Sequence, residues 1–311
     1  MTQPSASVHK KRTKYNVQEA RTAALFLLPA IAVLLFFSYY PAFEAVKGSF
    51  FRWDGMNTAE FVGLRNYKQL FANPIFWTSI KNVFEWSLGS VIVALCAPLI
   101  GALMIFHLRS KKQQYWYRAL FVIPMVIPFV VVIQIWSFIY EPTVGLLNTL
   151  LRTLGLDGAI RNWLGETQLV IPSLIFIGFP WISGMNMLIY YAGLQNVPQD
   201  VLEYAEIDGC TAMQKVLHIE LPLITGQVRL LLMLAIVNTL QNITVPLLLT
   251  SGGPGYDSYV PGLLMYYQAF RSTKFGMAYT TATVMFVIIL VLTLISAKLK
   301  KKDTLDREVK A

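Results

Sequence analysis

The feature that most constrains this chain is a series of apolar runs, each about as long as a bilayer is thick. They cover roughly 22–40, 83–106, 119–140, 169–191, 228–249 and 277–297. A helix needs about 20 apolar residues to cross the hydrocarbon layer. In lipid the backbone of each segment must satisfy its own hydrogen bonds, so each run is expected to be helical. Only 14% of the 311 residues are charged, where a soluble domain carries about 25%. The expectation is an all-α membrane protein with six transmembrane helices. Pro124 and Pro128 break the third run, and Pro172 and Pro180 lie in the fourth. The first run comes after a basic leader and has no small-residue cleavage site, so it reads as a retained helix.

Orientation is set by lysine and arginine. With the N-terminus inside, the tail 1–21, the loop 107–118, the polar stretch after the fourth run and the tail 298–311 hold 17 of the 26 basic residues. That bias matches the positive-inside rule and puts both termini in the cytoplasm of a multi-pass cell-membrane protein. The Lys298–Lys302 run reads as a stop-transfer signal among anionic lipid headgroups. The net charge of +9 does not indicate a nucleic-acid binder, because the basic residues flank apolar runs and do not cover a soluble face. Cys96 and Cys210 offer no disulfide framework, and neither has a neighbour at metal-ligand spacing.

Between the fourth and fifth runs lies a polar stretch, Asn196 to Leu223. It reads as two short helices joined at a glycine. Pro198 suits the first turn of the first helix. Gly209 suits the left-handed position that closes it. Thr211 and Gln214 have capping-box spacing and can open the second helix. Pro222 ends that helix or kinks the next segment. By punctuation alone, this knuckle is equally well an ordinary surface helix–turn–helix or a handle for a partner. His218 reads as a surface residue within it.

Glu203-Tyr-Ala205, then Gly209, then Ile219-Glu-Leu-Pro222 resemble the EAA loop of ATP-binding-cassette importer permeases. Tyr204 stands where that family usually has alanine. Phe61-Val-Gly-Leu-x-Asn-Tyr67, Gly145-Leu-Leu-Asn148, Thr250-Ser-Gly-Gly-Pro254 and Phe275-Gly276 are similar to the carbohydrate, maltose-transporter-like branch. The resemblance implies a type I importer fold whose coupling loop docks on a cytoplasmic ATPase through Glu203, Ala205, Asp208, Gly209, Leu221 and Pro222. It also implies the partners: a second homologous permease, two ATPase subunits, an extracytoplasmic solute-binding protein and a carbohydrate.

The chain has no Gly-Lys pair, so it lacks the P-loop that cradles phosphates. No carboxylate pair, zinc spacing or nucleophile elbow stands out. The expectation is a non-catalytic subunit without cofactor or metal. The alternative is an ion-coupled carrier or a polytopic membrane enzyme. A carrier of that kind keeps ionisable groups within its spans, and here they are nearly absent.

Asn238, Gln241 and Asn242 are spaced to share one helical face. That face is either interhelical glue or a polar wall of a transport path. The resemblance favours the path, and assigns it Asn238, Thr239 and Asn242. It also matches Ile177-Gly-Phe-Pro-Trp181 to a sugar-lining segment, which implicates Gly178 and Trp181. An aromatic ring such as Trp181 can stack on a pyranose or simply pack. The family's polar positions in the third span fall on Met125 and Phe129 here.

Overall fold

The structure, a computed structural model, describes the backbone of residues 17–308 and the side chains of residues 21–296. The expected tail at 1–21 and the side chains of the Lys298–Lys302 run lie largely or wholly outside those residues. α1 (Val17–Leu34) passes through a π-turn (Leu35–Tyr39) into α2 (Tyr40–Gly48). The most apolar part of Arg21–Gly48 buries nothing within the chain, whereas α2 packs on the helix Phe275–Glu308, with Gly48 against the Tyr279 ring.

Residues 51–61 depart from the all-α expectation. β1 (Phe51–Arg52) pairs antiparallel with β2 (Glu60–Phe61), Phe51 opposite Phe61. Asp54 makes the turn between them by accepting from the Met56 and Asn57 N–H groups at 3.0 and 2.8 Å. α3 (Arg65–Phe71) follows at once, with Asn66 and Leu70 buried.

α4 (Pro74–Phe106) is the ruler of the fold. It starts about two helix turns earlier than the apolar run implies. Asn73 Oδ1 accepts from Ile75 N at 3.0 Å and Pro74 opens the helix, a cap and first residue that need no intrahelical donor. Its 33 residues make a rod about 50 Å long, more than the hydrocarbon thickness of about 30 Å.

The expected six transmembrane helices are seen only in part. Among the described residues three helices are long and apolar enough to cross a membrane: Arg21–Gly48, Pro74–Phe106 and Phe275–Ser296. Counting each bent pair as one span raises this to five. The third run is α5 (Lys111–Val122), a 3-10 turn, then α6 (Phe129–Ile139), bent by 86°. The break falls at Pro124 and Pro128, where ring sterics and the missing N–H interrupt the ladder. α7 (Leu146–Thr153) lies in the following loop. The fourth run is two short helices, α8 (Val170–Phe176) and α9 (Gly184–Gln195), parted by residues 177–183. The knuckle comprises α10 (Gln199–Ile207), α11 (Ala212–Lys215), a π-turn (Val216–Glu220) and α12 (Leu221–Leu223). α13 (Thr225–Gln241) leaves it at 68° and is followed by α14 (Thr244–Leu249), α15 (Pro261–Phe270) and α16 (Phe275–Glu308).

Two apolar cores divide this helix set. One gathers Leu70, Phe76, Val83, Trp86, Ile133, Leu240 and Tyr267 near the N-terminal half of α4. The other gathers Ala102, Ile105, Met187, Tyr190, Leu194 and Leu231 near its C-terminal end. A cavity lies between them, beside the middle of α4.

Candidate functional site

The knuckle is built by local rules. Pro198, at the N-cap instead of the first turn, starts α10 with an extended backbone. Gly209 has φ +77, a conformation that costs an L side chain about 1–2 kcal/mol. Its N–H donates to Glu206 O at 3.1 Å, and Cys210 N–H to Ala205 O at 2.9 Å. These two bonds make the Schellman closure of α10. The expected capping box is present: Thr211 and Gln214 bond each other's backbone N–H. Lys215 Nζ then bridges back to Glu206 Oε1 at 2.7 Å. That ammonium holds the Glu206 carboxyl below its usual range.

The implied ATPase-coupling residues divide by exposure. Glu203, Asp208 and Gly209 are exposed, while Ala205 is buried within this chain and Leu221 and Pro222 are half-buried. The small side chain of Ala205 therefore closes the knuckle on itself. Beside Glu203 the surface shows Tyr204, Ile207 and Met213, at 68, 81 and 66% exposure. So much apolar surface on a polar knuckle suits a partner. The family resemblance does not implicate Ile207 or Met213, although both are plain in the sequence as apolar residues in a polar stretch.

One contact ties the knuckle to α4. Glu220, at the end of the π-turn, is 1% exposed. Its Oε1 lies 3.0 Å from His107 Nε2, just past the end of α4. His107 Nδ1 faces Leu103 O at 2.9 Å. The Glu220 carboxyl raises His107 above its ordinary imidazole range, aided by the Leu103 carbonyl and opposed by partial burial and Lys215.

Midway along α4, a cavity of about 850 Å³ opens between the two cores. Trp86, Ser90, Val93 and Ala94 of α4 form one wall. The implied path residues Gly178, Trp181, Asn238, Thr239 and Asn242 all line it, with Met125 and Phe129. No charged side chain is among its described lining residues.

The lining is shaped by broken helices. Gly178 has φ +82 and Trp181 φ +60, so the 177–183 link turns back between α8 and α9. Trp181 is bulky and non-glycine, and this conformation is strained for it, by on the order of 1–3 kcal/mol. It is held by its indole N–H donating to Ile175 O at 3.0 Å and by edge contacts with Phe176 and Phe179. With that donor engaged, Trp181 offers a ligand only its ring.

The expected shared face of Asn238, Gln241 and Asn242 does not form. α13 stops at Gln241, and Asn242 is extended, with ψ 111. Its Oδ1 accepts from Thr244 N and Val245 N at 3.0 and 3.3 Å, so Asn242 caps α14. Gln241 is absent from the cavity lining. Thr239 donates to Ala235 O at 2.9 Å, within its own helix. Asn238 is exposed and lines the cavity, its amide placed to meet a polar ligand.

Comparison with known proteins matches this arrangement. Residues 94–302 fit the family described as binding-protein-dependent transport system inner membrane component. The chain is 36% identical over 283 residues to the probable ABC transporter permease protein YurN of Bacillus subtilis, covering 89% of this chain and 95% of that one. It is 28% identical to the multiple sugar-binding transport system permease protein MsmF of Streptococcus mutans, covering 89 and 94% of the two chains. A chain of a bacterial ABC transporter involved in the import of the acidic polysaccharide alginate shares its fold. The TM-score is 0.80 at 23% identity, with 92 and 97% of the two chains covered. This chain belongs to the family of binding-protein-dependent transport system inner membrane components and is a multi-pass permease of an ABC transporter.

Proposed function

We propose that this permease forms one half of the passage of an ATP-driven carbohydrate importer. It crosses the membrane six times, three times as a straight helix and three times as a broken one, with both termini and the knuckle in the cytoplasm. This is the type I importer arrangement. A second, similar permease completes the passage. Two cytoplasmic ATPases hold the knuckles, and a solute-binding protein delivers the sugar from outside.

The observation that carries this reading is the reach of α4. The end of this helix touches the knuckle through His107 and Glu220, and its middle lines the cavity through Trp86, Ser90, Val93 and Ala94. One continuous helix can thus pass motion at a docking surface to a ligand site. Glu203 and Asp208 supply charge for the docking groove, and Tyr204, Ile207 and Met213 supply apolar area. ATP-driven closure of the ATPases pulls the knuckles, and the spans swing from inward-open to outward-open.

The cavity chemistry favours a neutral sugar. Asn238 and Asn242 can meet hydroxyls, and the Trp181 ring can cover the apolar face of a pyranose. An acidic saccharide in an apolar surround would need a cation to offset its desolvation, and the described lining has none. The name of MsmF supports the carbohydrate class. The test is co-purification with the cognate ATPase and uptake in cells. Glu203→Lys combined with Gly209→Pro should abolish both; a variant that still assembles and imports would refute the docking role.

A further inference from the structure

Glu220 is the one carboxyl among the described residues that is buried in the protein yet lies outside any docking face. Its Oε1 meets His107 Nε2 at 3.0 Å, and its Oε2 is buried without a hydrogen-bond partner among the described residues. A leucine would fill such a place without leaving a lone pair orphaned. Replacing a buried ionic pair by apolar groups is often neutral or stabilising. Stability alone therefore does not account for a carboxyl in this place.

Its surroundings suggest a different task. The π-turn Val216–Glu220 inserts an extra residue per turn between the coupling helix and α12. That re-aims Glu220 at the end of α4, and such turns recur at functional sites. The covalent route from Glu220 to the cavity passes through the 68° bend between α12 and α13, a joint that can flex. The route through His107 enters α4, which stays helical from there to Ala94 at the cavity wall, with the internal Pro98 removing one rung of its ladder. His107 is fixed at both nitrogens, by Glu220 Oε1 and by Leu103 O. Lys215, bridged to Glu206, locks the two arms of the knuckle so that they move as one body.

We propose that the His107–Glu220 contact is the strut that transmits movement of the coupling knuckle to α4 and so to the cavity. His107 and Glu220 are positioning residues: neither lines the cavity, and Glu220 is shielded from any docking partner. The inference rests on the knuckle being the ATPase-docking element.

The test uses the assembled transporter, this permease with its partner permease and ATPases, in proteoliposomes. Cys96 and Cys210 are replaced by serine and a reporter, Ser90→Cys, is placed in the cavity wall. The readout is the rate of N-ethylmaleimide labelling with and without ATP plus vanadate. In the parent, nucleotide should change that rate by about tenfold, the scale of a typical coupling between sites. In Glu220→Gln and His107→Gln the change should vanish, although the complex elutes intact on size exclusion. The double variant Glu220→Leu/His107→Leu, which removes both partners, should assemble like the parent and still fail to respond, which separates transmission from folding. A nucleotide response in these variants equal to the parent's overturns the strut. A parent that does not respond at all overturns the docking reading beneath it, and the strut with it.

Discussion

Lys215 places its ammonium 2.7 Å from the Glu206 carboxylate and so joins the two arms of the knuckle across the turn at Gly209. Glu206 is held below its ordinary range mainly by this bond. A carboxyl lowered on folding stabilises above its unfolded value of 4.5, and the contribution fades as pH falls through the lowered folded value. Amide exchange across 199–215 should be faster in Lys215→Met than in the parent at pH 7. The difference should close in acid below that window. Equal exchange at pH 7 would mean that the ion pair does not hold the arms together.

The His107 pair responds in the opposite direction. A histidine raised on folding stabilises fully below its unfolded value of 6.5. That stabilisation is lost as pH rises through the raised folded value. The melting temperature of the parent should exceed that of His107→Gln at pH 6, and the gap should narrow as the pH is taken above the raised value. A gap that widens with pH would reverse the assignment.

Asn242 has two tasks that substitution can separate. Its Oδ1 caps α14, and the residue lines the cavity. Asn242→Leu removes the cap, at a cost of about 1 kcal/mol, and the amide with it. Asn242→Asp keeps an acceptor for Thr244 N and Val245 N but puts a charge into a neutral cavity. Thermal melts should show Asn242→Asp closer to the parent than Asn242→Leu, while both variants import poorly. Identical melts for the two would remove Asn242 as the cap.

The knuckle is legible in the sequence because its determinants are local. Pro198, Gly209 and the Thr211–Gln214 box act within a few residues, and the structure places each at or beside its expected position. The early start of α4 is also written there, as Asn73-Pro74, but an apolar-run criterion stops short of it because Lys81 and Asn82 interrupt the run. The break after Gln241 is legible only in hindsight, through Pro246, whose ring and missing N–H disrupt a helix at the Asn242 carbonyl four residues back. A continuous helix would put Gln241 on the cavity face, where it is not found. The turn at Gly178–Trp181 depends on Ile175 O and two phenylalanine rings that take up the strain. Glu220 falls within the Ile219–Pro222 motif, but it stands 113 residues from His107, and no local pattern links the two.

The central claim is that the cavity between the two cores carries the sugar. The direct measurement is binding-protein-dependent uptake of the neutral saccharide retained by the cognate binding protein, in proteoliposomes holding the complete transporter. Asn238 is the residue to change, because it is exposed and lines the cavity. Asn238→Leu should assemble like the parent and lower uptake by about tenfold, the effect of losing one hydrogen bond to the sugar. Uptake equal to the parent's would contradict the account and place the sugar path elsewhere.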